Sequence, residues 1–179
     1  MQKIKFFICG LALLVCSTTF AQKGKSPSFS IGVEAGLPVG KDLKEGWNFG
    51  IGGSAKVGIP LFEGGDVTLS AGYISFLGKS ESFGGVTVKN KALSTIPLKA
   101  GLRFMLGQGF YGEPQLGYTI AKVSGLSGNL NGFTYAAGIG YMASQVDIGV
   151  RYEAWSKTEN NVTANPSFIG LRLGFNLGR

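Results

Sequence analysis

The sequence predicts an all-β fold, an eight-stranded antiparallel up-and-down transmembrane β-barrel. Apolar residues alternate with small or polar ones along most of the chain, which indicates strands with one apolar face. The other face is rich in Gly, Ser and Thr, whereas a face in contact with water is normally dense in charge. Connections between strands are alternately short and long. We therefore expect the apolar face to meet lipid and the polar face to line the barrel interior.

Residues 1–21 have the features of a secretory leader. A basic start is followed by an apolar stretch and by small residues that end at Ala21, so cleavage is predicted after Ala21. Both cysteines, Cys9 and Cys16, lie in this leader, so the mature chain has no thiol for a disulfide or a metal. Lipid attachment at Cys16 is an alternative that stays open. The expected domains are a signal peptide, 1–21, and an outer-membrane barrel domain, 22–179.

The clearest hairpin has Gly107-Gln108-Gly109 at its centre. Both flanking segments alternate, and the three residues between them form a predicted turn that pairs Leu106 with Phe110. This register places Arg103 directly opposite Glu113 on the polar face, where opposite charges favour the pairing.

The other strands follow the same pattern. Their apolar rows occupy Phe29 to Leu37, Trp47 to Ile59, Val67 to Tyr73, Phe133 to Ala143, Val146 to Ala154 and Ile169 to Leu177. Compact turns are predicted at Pro60 to Asp66 and at Ser144-Gln145, and long loops at 38–46, 79–91, 122–132 and 157–165. The loop 79–91 has room for a small hairpin. Short turns facing the periplasm and longer loops facing outside are typical of outer-membrane barrels.

Two features disturb the alternation. The phase of the third strand slips between Ile74 and Leu77, which predicts a bulge there. Pro97 and Pro114 lie inside strand patterns but lack a backbone donor, so each is predicted to mark a bulge or a strand end.

Nine charged side chains fall on the predicted inner row. They are Glu34, Lys56, Lys99, Arg103, Glu113, Asp147, Arg151, Glu153 and Arg172. The interior of an eight-stranded barrel is only wide enough for its own side chains, so these nearly balanced charges are expected to pair into a structural network that plugs the lumen. Arg103 is expected to pair with Glu113, and Glu34 with Arg172 across the closing seam. A narrow polar conduit is the alternative.

The composition excludes several kinds of chemistry. The chain has no histidine, which removes Ser-His-Asp and Cys-His catalysis and histidine metal sites. The string Gly50-Ile51-Gly52-Gly53-Ser54-Ala55 matches a nucleotide-binding pattern, but no helix pattern follows it, and we interpret the match as chance. We therefore expect no catalytic residue, no cofactor and no metal.

Four segments carry a resemblance to a known family. They are Phe20-Ala21-Gln22, the segment 96–104, Phe110-Tyr111-Gly112-Glu113-Pro114 and Gly170-Leu171-Arg172-Leu173-Gly174-Phe175. In these segments the chain resembles the small outer-membrane β-barrel family, the porin family that includes the OmpA barrel, OmpX and OmpW-like proteins. The resemblance implies insertion by the outer-membrane assembly machinery, which reads an aromatic at the end of the last strand. Phe175 is the nearest aromatic to that end.

These observations predict an integral protein of the cell outer membrane, exported through a cleaved signal peptide, with a structural or surface-interaction role and no catalysis. The expected partners are outer-membrane lipid and lipopolysaccharide, and the assembly machinery during biogenesis. Because the basic residues are dispersed, no nucleic-acid partner is expected, and the chain is expected to be a monomer. Two alternatives stay open: a narrow OmpW-like channel for small solutes, and a soluble lipocalin-like carrier.

Overall fold

A computed structural model describes residues 26–83, 86–125, 130–159 and 162–178, so the predicted leader with Cys9 and Cys16 lies outside the described residues. The strands are β1 (Ser28–Pro38), β2 (Trp47–Phe62), β3 (Gly65–Gly78), β4 (Ser80–Phe83), β5 (Val86–Lys89), β6 (Leu93–Gly107), β7 (Phe110–Val123), β8 (Gly132–Ala143), β9 (Val146–Glu159), β10 (Val162–Ala164) and β11 (Ser167–Gly178). A short helix, α1 (Lys41–Lys44), follows β1. None of the helices in the described ranges has the length and apolar composition needed to cross a membrane.

Eight of these strands form one closed antiparallel barrel. Their order is β9-β11-β1-β2-β3-β6-β7-β8, and β8 also pairs with β9, which closes the sheet. Short turns join β2 to β3, β6 to β7 and β8 to β9; we call this the turn end. The opposite end, called the loop end, carries α1, the β4–β5 hairpin and β10. The predicted eight-stranded barrel and the small hairpin within 79–91 are confirmed.

The apolar row of each strand faces outward, as predicted. Val33 is 62% exposed and Ile139 is 70% exposed, whereas Glu34, the next residue on β1, is 5% exposed. Side chains alternate across a pleated strand, so each of the eight barrel strands has an apolar face that points outward and an opposite face that is enclosed. This orientation excludes the soluble lipocalin-like carrier, because such a carrier would turn its apolar row into the lumen.

The register of the β6–β7 hairpin agrees with the prediction, but its turn differs. Gly101 pairs with Gln115 and Phe104 pairs with Gly112, which sets Arg103 and Glu113 at opposite positions. At the turn, Gly107 rather than Leu106 pairs with Phe110, and the register shifts between Met105 and Gly107. Leu106 is therefore the extra residue of a bulge, and the turn itself has two residues. Gly107, Gln108 and Gly109 all have positive φ, which the tight reversal requires. The predicted pairing of Ala143 with Val146 is confirmed.

The bulge predicted between Ile74 and Leu77 is wrong. The register of β3 runs without a shift from Leu77, which pairs with Phe49, to Asp66. Ile74 and Phe76 are buried on the inner row, whereas Tyr73 and Leu77 are exposed on the outer row. The alternation is obscured there because large apolar residues occupy both faces of β3 at the loop end.

Pro97 and Pro114 mark neither a bulge nor a strand end. Each lies well inside its strand, and the register is the same on both sides of it. The β3–β6 ladder has no pairs between Ala71 and Ile74, opposite Pro97, and the β6–β7 ladder has none between Gly101 and Phe104, opposite Pro114. A strand residue in an antiparallel sheet directs its N–H to one neighbour only, so a proline interrupts one ladder and leaves the other intact.

Candidate functional site

The lumen holds all nine of the charged side chains assigned to the inner row. Eight of them are residues with at most 8% exposure, and the side chain of Arg151 is 12% exposed. They occupy the middle and the turn-end half of the barrel, which we call the charged layer. Burying charge in this way is costly unless every group has a partner, so the pairing decides what the site can do.

Among the described residues, Glu113 has four side-chain partners. Lys56 Nζ lies 2.7 Å from Glu113 Oε2, while Thr68 Oγ1 and Gln115 Nε2 donate hydrogen bonds to Oε1 over 2.6 and 3.0 Å. Arg103 Nη2 is farther away, at 3.8 Å from Oε2. The expected pairing of Arg103 with Glu113 is therefore present as a long contact, and Lys56 is the closer cation. Lys56 reaches Glu113 across the lumen from β2 to β7.

Asp147 joins two arginines at the centre of the charged layer. Arg172 Nη1 donates a 3.0 Å hydrogen bond to Asp147 Oδ2, and Arg103 Nη2 lies 3.8 Å from the same oxygen. The Tyr111 hydroxyl donates a 2.5 Å hydrogen bond to Oδ1, and the Arg103 guanidinium stacks over the Tyr111 ring, 4.7 Å from its centroid. Arg172 also donates to Ser54 Oγ and Ser30 Oγ.

A second group of charges continues from Arg172. Glu34 pairs with Arg172 in register across the β1–β11 seam, but Glu34 Oε1 lies 3.8 Å from Arg172 Nε, whereas Arg151 Nη2 lies 2.6 Å from Glu34 Oε2. Arg151 Nε in turn donates to Glu153 Oε2 over 2.7 Å. Glu153 also accepts a hydrogen bond from Lys99 Nζ. The closest cation to Glu34 is therefore Arg151, although the sequence predicted Arg172 as its partner.

The nine charges form one unbroken series of alternating sign. In order of contact they are Lys56, Glu113, Arg103, Asp147, Arg172, Glu34, Arg151, Glu153 and Lys99. Every contact in the series joins opposite charges. A lysine stands at each end, so the series contains one more positive than negative charge.

Inner-row glycines leave the space that these long side chains fill. A Cβ on Gly174 would lie 2.2 Å from Arg172 Nη1, and one on Gly140 would lie 2.3 Å from the Tyr111 hydroxyl. Contacts that short do not occur for real Cβ atoms. The glycine content noted in the sequence therefore has a packing reason in the charged layer.

The loop-end half of the lumen is filled by apolar side chains instead. We call them the apolar layer; its buried members are Leu43, Ile74, Phe76, Leu93, Ala121, Val123, Trp155 and Phe168. Phe76 and Trp155 both pack edge-on against Phe168, with ring centroids 5.2 and 6.4 Å away. Trp155 Nε1 donates to the Leu130 carbonyl, which satisfies its only polar group.

Helix α1 closes the apolar layer from outside the strands. Leu43 on this helix is fully buried, although the sequence placed it in a charged loop. The Asp42 carboxylate accepts a 2.6 Å hydrogen bond from the Asn165 backbone N–H. The Val39 and Gly40 N–H groups both donate to the Ser167 carbonyl. These contacts hold the β1–β2 connection over the barrel mouth.

Sequence reasoning missed most of the apolar layer. Alternation assigns Trp155 and Phe168 to the inner row, since each lies directly beside a residue of an outer row. The same alternation gives Ile74 and Phe76 as a phase slip, and Leu43 lies in a charged segment without an apolar pattern. The usable signal was the run of apolar residues on both faces of β3. Such a run indicates a strand that is enclosed on its inner face and meets lipid on its outer face.

The charged layer encloses a small cavity. A cavity of about 40 Å³ lies among charged-layer residues that include Lys56, Ser70, Lys99 and Arg172, and a volume of that size holds roughly one water molecule. The described residues contain no group of three or more carboxylates or cysteines placed to hold a metal ion.

Aromatic side chains on the outer face fall in two bands. Phe29, Phe104, Phe110, Tyr141 and Phe175 are exposed toward the turn end, and Tyr73, Tyr118, Phe133, Tyr135 and Tyr152 toward the loop end. Trp47 belongs to the second band and donates from Nε1 to the Lys91 carbonyl. Two aromatic bands that flank an apolar zone are typical of a barrel that crosses a bilayer.

A family model described as "Outer membrane protein beta-barrel domain" matches residues 7–176. The chain belongs to this family. Membership makes it an integral β-barrel of the outer membrane. No curated protein matches the sequence.

Solved structures of small outer-membrane barrels share the fold. The N-terminal barrel domain of Pseudomonas aeruginosa OprF aligns with a TM-score of 0.59 and 16% identity, covering 84% of this chain and 97% of that one. Neisserial surface protein A gives a TM-score of 0.53 and 19% identity, with 87% and 100% coverage. Ail of Yersinia pestis gives 0.50 and 16%, with 83% and 97% coverage. At these identities the likeness concerns the fold alone.

Proposed function

We propose that this outer-membrane barrel is a non-enzymatic protein with a plugged lumen and a structural or surface-interaction role. The observation that carries the proposal is the unbroken series of alternating charges across the lumen. Each member is held by at least one neighbour of opposite sign, so the side chains are fixed in place rather than solvated along a water path. The apolar layer adds a second barrier, because an ion crossing it would lose its hydration without finding a charged partner.

Planar-bilayer recordings test the plugged lumen directly. The refolded full chain is expected to give no discrete conductance steps, while a general porin added to the same bilayer confirms that the recording detects open channels. Folding is checked on the same sample by the heat-modifiable gel shift of an intact barrel. Reproducible steps from folded protein would replace this proposal with the narrow OmpW-like channel for small solutes.

The absence of catalysis is part of the proposal. The chain has no histidine, and the lumen carboxylates from Glu113 to Glu153 are each held by a cation. A carboxylate in such a pair is poorly placed to act as a general base. Hydrolysis of peptide, ester and phosphodiester reporters by the refolded protein should not exceed that of a heat-denatured sample, and a heat-sensitive activity would contradict the assignment.

The two ends of the barrel differ in charge, which supports a lipopolysaccharide-facing role for the loop end. Among the loop-end residues whose side chains the structure describes, the exposed or half-buried lysines are Lys41, Lys44, Lys79, Lys91, Lys122 and Lys157. The acidic residues in that set are Asp42 and Glu45, while the turn end has Glu63 and Asp66. Cationic side chains at the outer leaflet suit the phosphates of lipopolysaccharide. Refolded protein should bind lipopolysaccharide vesicles more tightly than zwitterionic ones, and combined Lys91→Gln and Lys122→Gln substitutions should weaken the binding. Equal binding to both vesicles would contradict this role.

We also propose that the chain reaches the outer membrane after its leader is cleaved. Mass spectrometry of protein extracted from outer membranes should give a chain that begins at Gln22. A chain that begins at Cys16 and carries lipid would replace signal-peptide cleavage after Ala21 with lipoprotein processing. Insertion by the assembly machinery and a monomeric state are proposed likewise, and light scattering in detergent tests the latter.

A further inference from the structure

Ser70 lies between the two ends of the charged series. On the inner face of the barrel it pairs with Lys56 of β2 on one side and with Lys99 of β6 on the other. Directly paired side chains have Cβ atoms roughly 4.5 to 5.5 Å apart, so the two lysines flank one serine. The series of opposite charges therefore runs round the lumen from Lys56 to Lys99 and returns to the same place, with Ser70 between its two positive ends.

Three observations at this place point to a small anion. The Ser70 hydroxyl oxygen is buried and has no hydrogen-bond partner in the described residues. Lys56 and Lys99 are 7% and 8% exposed, and the series of nine charges has one positive charge more than it has negative charges. The cavity of about 40 Å³ is lined by all three residues. We propose that Ser70, Lys56 and Lys99 form an internal site for a monatomic anion of the halide class.

The chemistry of the site selects the charge and the size of its ligand. A hydroxyl and ammonium groups donate hydrogen bonds, which an anion accepts and a metal cation does not. The cavity has room for about one water molecule, so phosphate, sulfate or a carboxylate would not fit without movement of the strands. A bound anion would give the series as many negative as positive charges and would place opposite signs next to one another all the way round.

Carboxylates also line this cavity, but its described lining has four cations against two carboxylates and is therefore positive. Its two carboxylates are Glu34 and Glu113. Arg151 Nη2 lies 2.6 Å from Glu34 Oε2, and Lys56 Nζ lies 2.7 Å from Glu113 Oε2. Arg103 Nε is a second buried donor without a partner, yet Arg103 Nη2 lies 3.8 Å from both Glu113 and Asp147. Two carboxylates beside Arg103 disfavour an anion there, whereas Ser70 has a lysine on each side.

Crystals of the full chain soaked in bromide test the site most directly. We expect an anomalous difference peak within hydrogen-bond distance of Ser70 Oγ, between Lys56 and Lys99. Density without anomalous signal would mean that a water molecule alone occupies the position, and that result overturns the proposal. Protein crystallised in gluconate without halide gives the reference map.

Thermal unfolding in detergent tests the same site in solution. When chloride replaces gluconate at constant ionic strength, the melting temperature should rise by about 3 °C for each tenfold increase above the dissociation constant. Lys99→Met should abolish this response, since it leaves four positive and four negative charges. Ser70→Asp should abolish it too, and should melt above the wild type in gluconate, because its carboxylate supplies a fifth negative charge between the two lysines.

A control variant shows whether the loss of the chloride response is specific to the lumen. Ser94→Ala changes a serine on the outer face of β6 and should keep the full chloride response. An unchanged response in folded Lys99→Met overturns the proposal, and if neither lumen variant folds, the bromide map of the wild type decides. The site does not depend on whether the barrel conducts, so a bromide peak in a conducting barrel would remove only the plugged-lumen proposal.

Discussion

The two halves of the barrel interior are filled by opposite chemistries on the same strands. At the turn end, β9 contributes Asp147 and Arg151 to the charged layer, and at the loop end it contributes Trp155 to the apolar layer. A charged layer is stable only when each group keeps its partner, whereas an apolar layer loses stability in proportion to the volume removed. The lumen of one narrow barrel can therefore be filled either by paired charges or by closely packed apolar side chains.

The largest expected effect comes from removing a carboxylate inside the charged series. Glu113→Gln leaves Lys56 and Arg103 without their shared anion, and breaking a buried pair in this way costs about 3–5 kcal/mol of unfolding free energy. Urea unfolding of the refolded barrel measures the loss. Glu63→Gln, at an exposed turn, should change the free energy by less than about 0.5 kcal/mol. Equal losses in the two variants would show that the charged layer does not depend on its pairing.

The next effect breaks the apolar layer at the short helix. Leu43 is fully buried, so Leu43→Ala should cost about 2–4 kcal/mol of unfolding free energy through lost burial and a residual cavity. Val39→Ala in the same connection removes a side chain that is 45% exposed and should cost under about 1 kcal/mol. Urea titrations followed by tryptophan fluorescence measure both. A loss no greater than that of the Val39 variant would mean that α1 does not seal the barrel mouth.

A smaller effect tests how tightly the apolar layer is packed. A Cβ on Gly50 would lie 2.7 Å from the Phe76 ring, so Gly50→Ala should destabilise the barrel by about 1–3 kcal/mol. Adding Phe76→Leu should restore part of that loss, because it removes the atoms that clash. The control is Gly112→Ala, whose nearest neighbour is Leu106 Cδ1 at 4.0 Å. No rescue by Phe76→Leu in the double-mutant cycle would contradict the packing argument.

The smallest effect is expected at an end of the charged series. Lys99→Met removes one cation, but Glu153 keeps its 2.7 Å contact with Arg151, so the unfolding free energy in gluconate should change by less than about 1 kcal/mol. The same urea titration compares this variant with Glu113→Gln. If Lys99→Met were the more damaging of the two, position along the series would not govern stability.

The fold was accessible from the sequence because its signals are local. Alternation assigns Val33 and Ile139 to the outer face and Glu34 to the inner face without knowledge of any neighbour. Hairpin pairing is also local, which is why the opposite positions of Arg103 and Glu113 followed from a turn of a few residues. The turn itself was less accessible, since a bulge at Leu106 changes the pairing without changing the alternation.

The candidate site was accessible only in part. The sequence identified the nine inner charges, but it paired them with neighbours in register, whereas Lys56 crosses the lumen to Glu113 and Arg151 is closest to Glu34. Leu43 and the inner direction of Phe76 were not predicted, because a short helix over the mouth and an apolar inner row follow from packing against distant strands.

The amino-acid pattern is enough to assign the side chains that face lipid, the number of barrel strands and the charges that are enclosed, because the pleat of a strand repeats every two residues and needs no partner. Which charges meet, where the apolar layer begins and that Ser70 stands between two lysines depend on how the strands assemble. These contacts join strands that are far apart in the chain, and the curvature of the closed sheet sets the distances across the lumen.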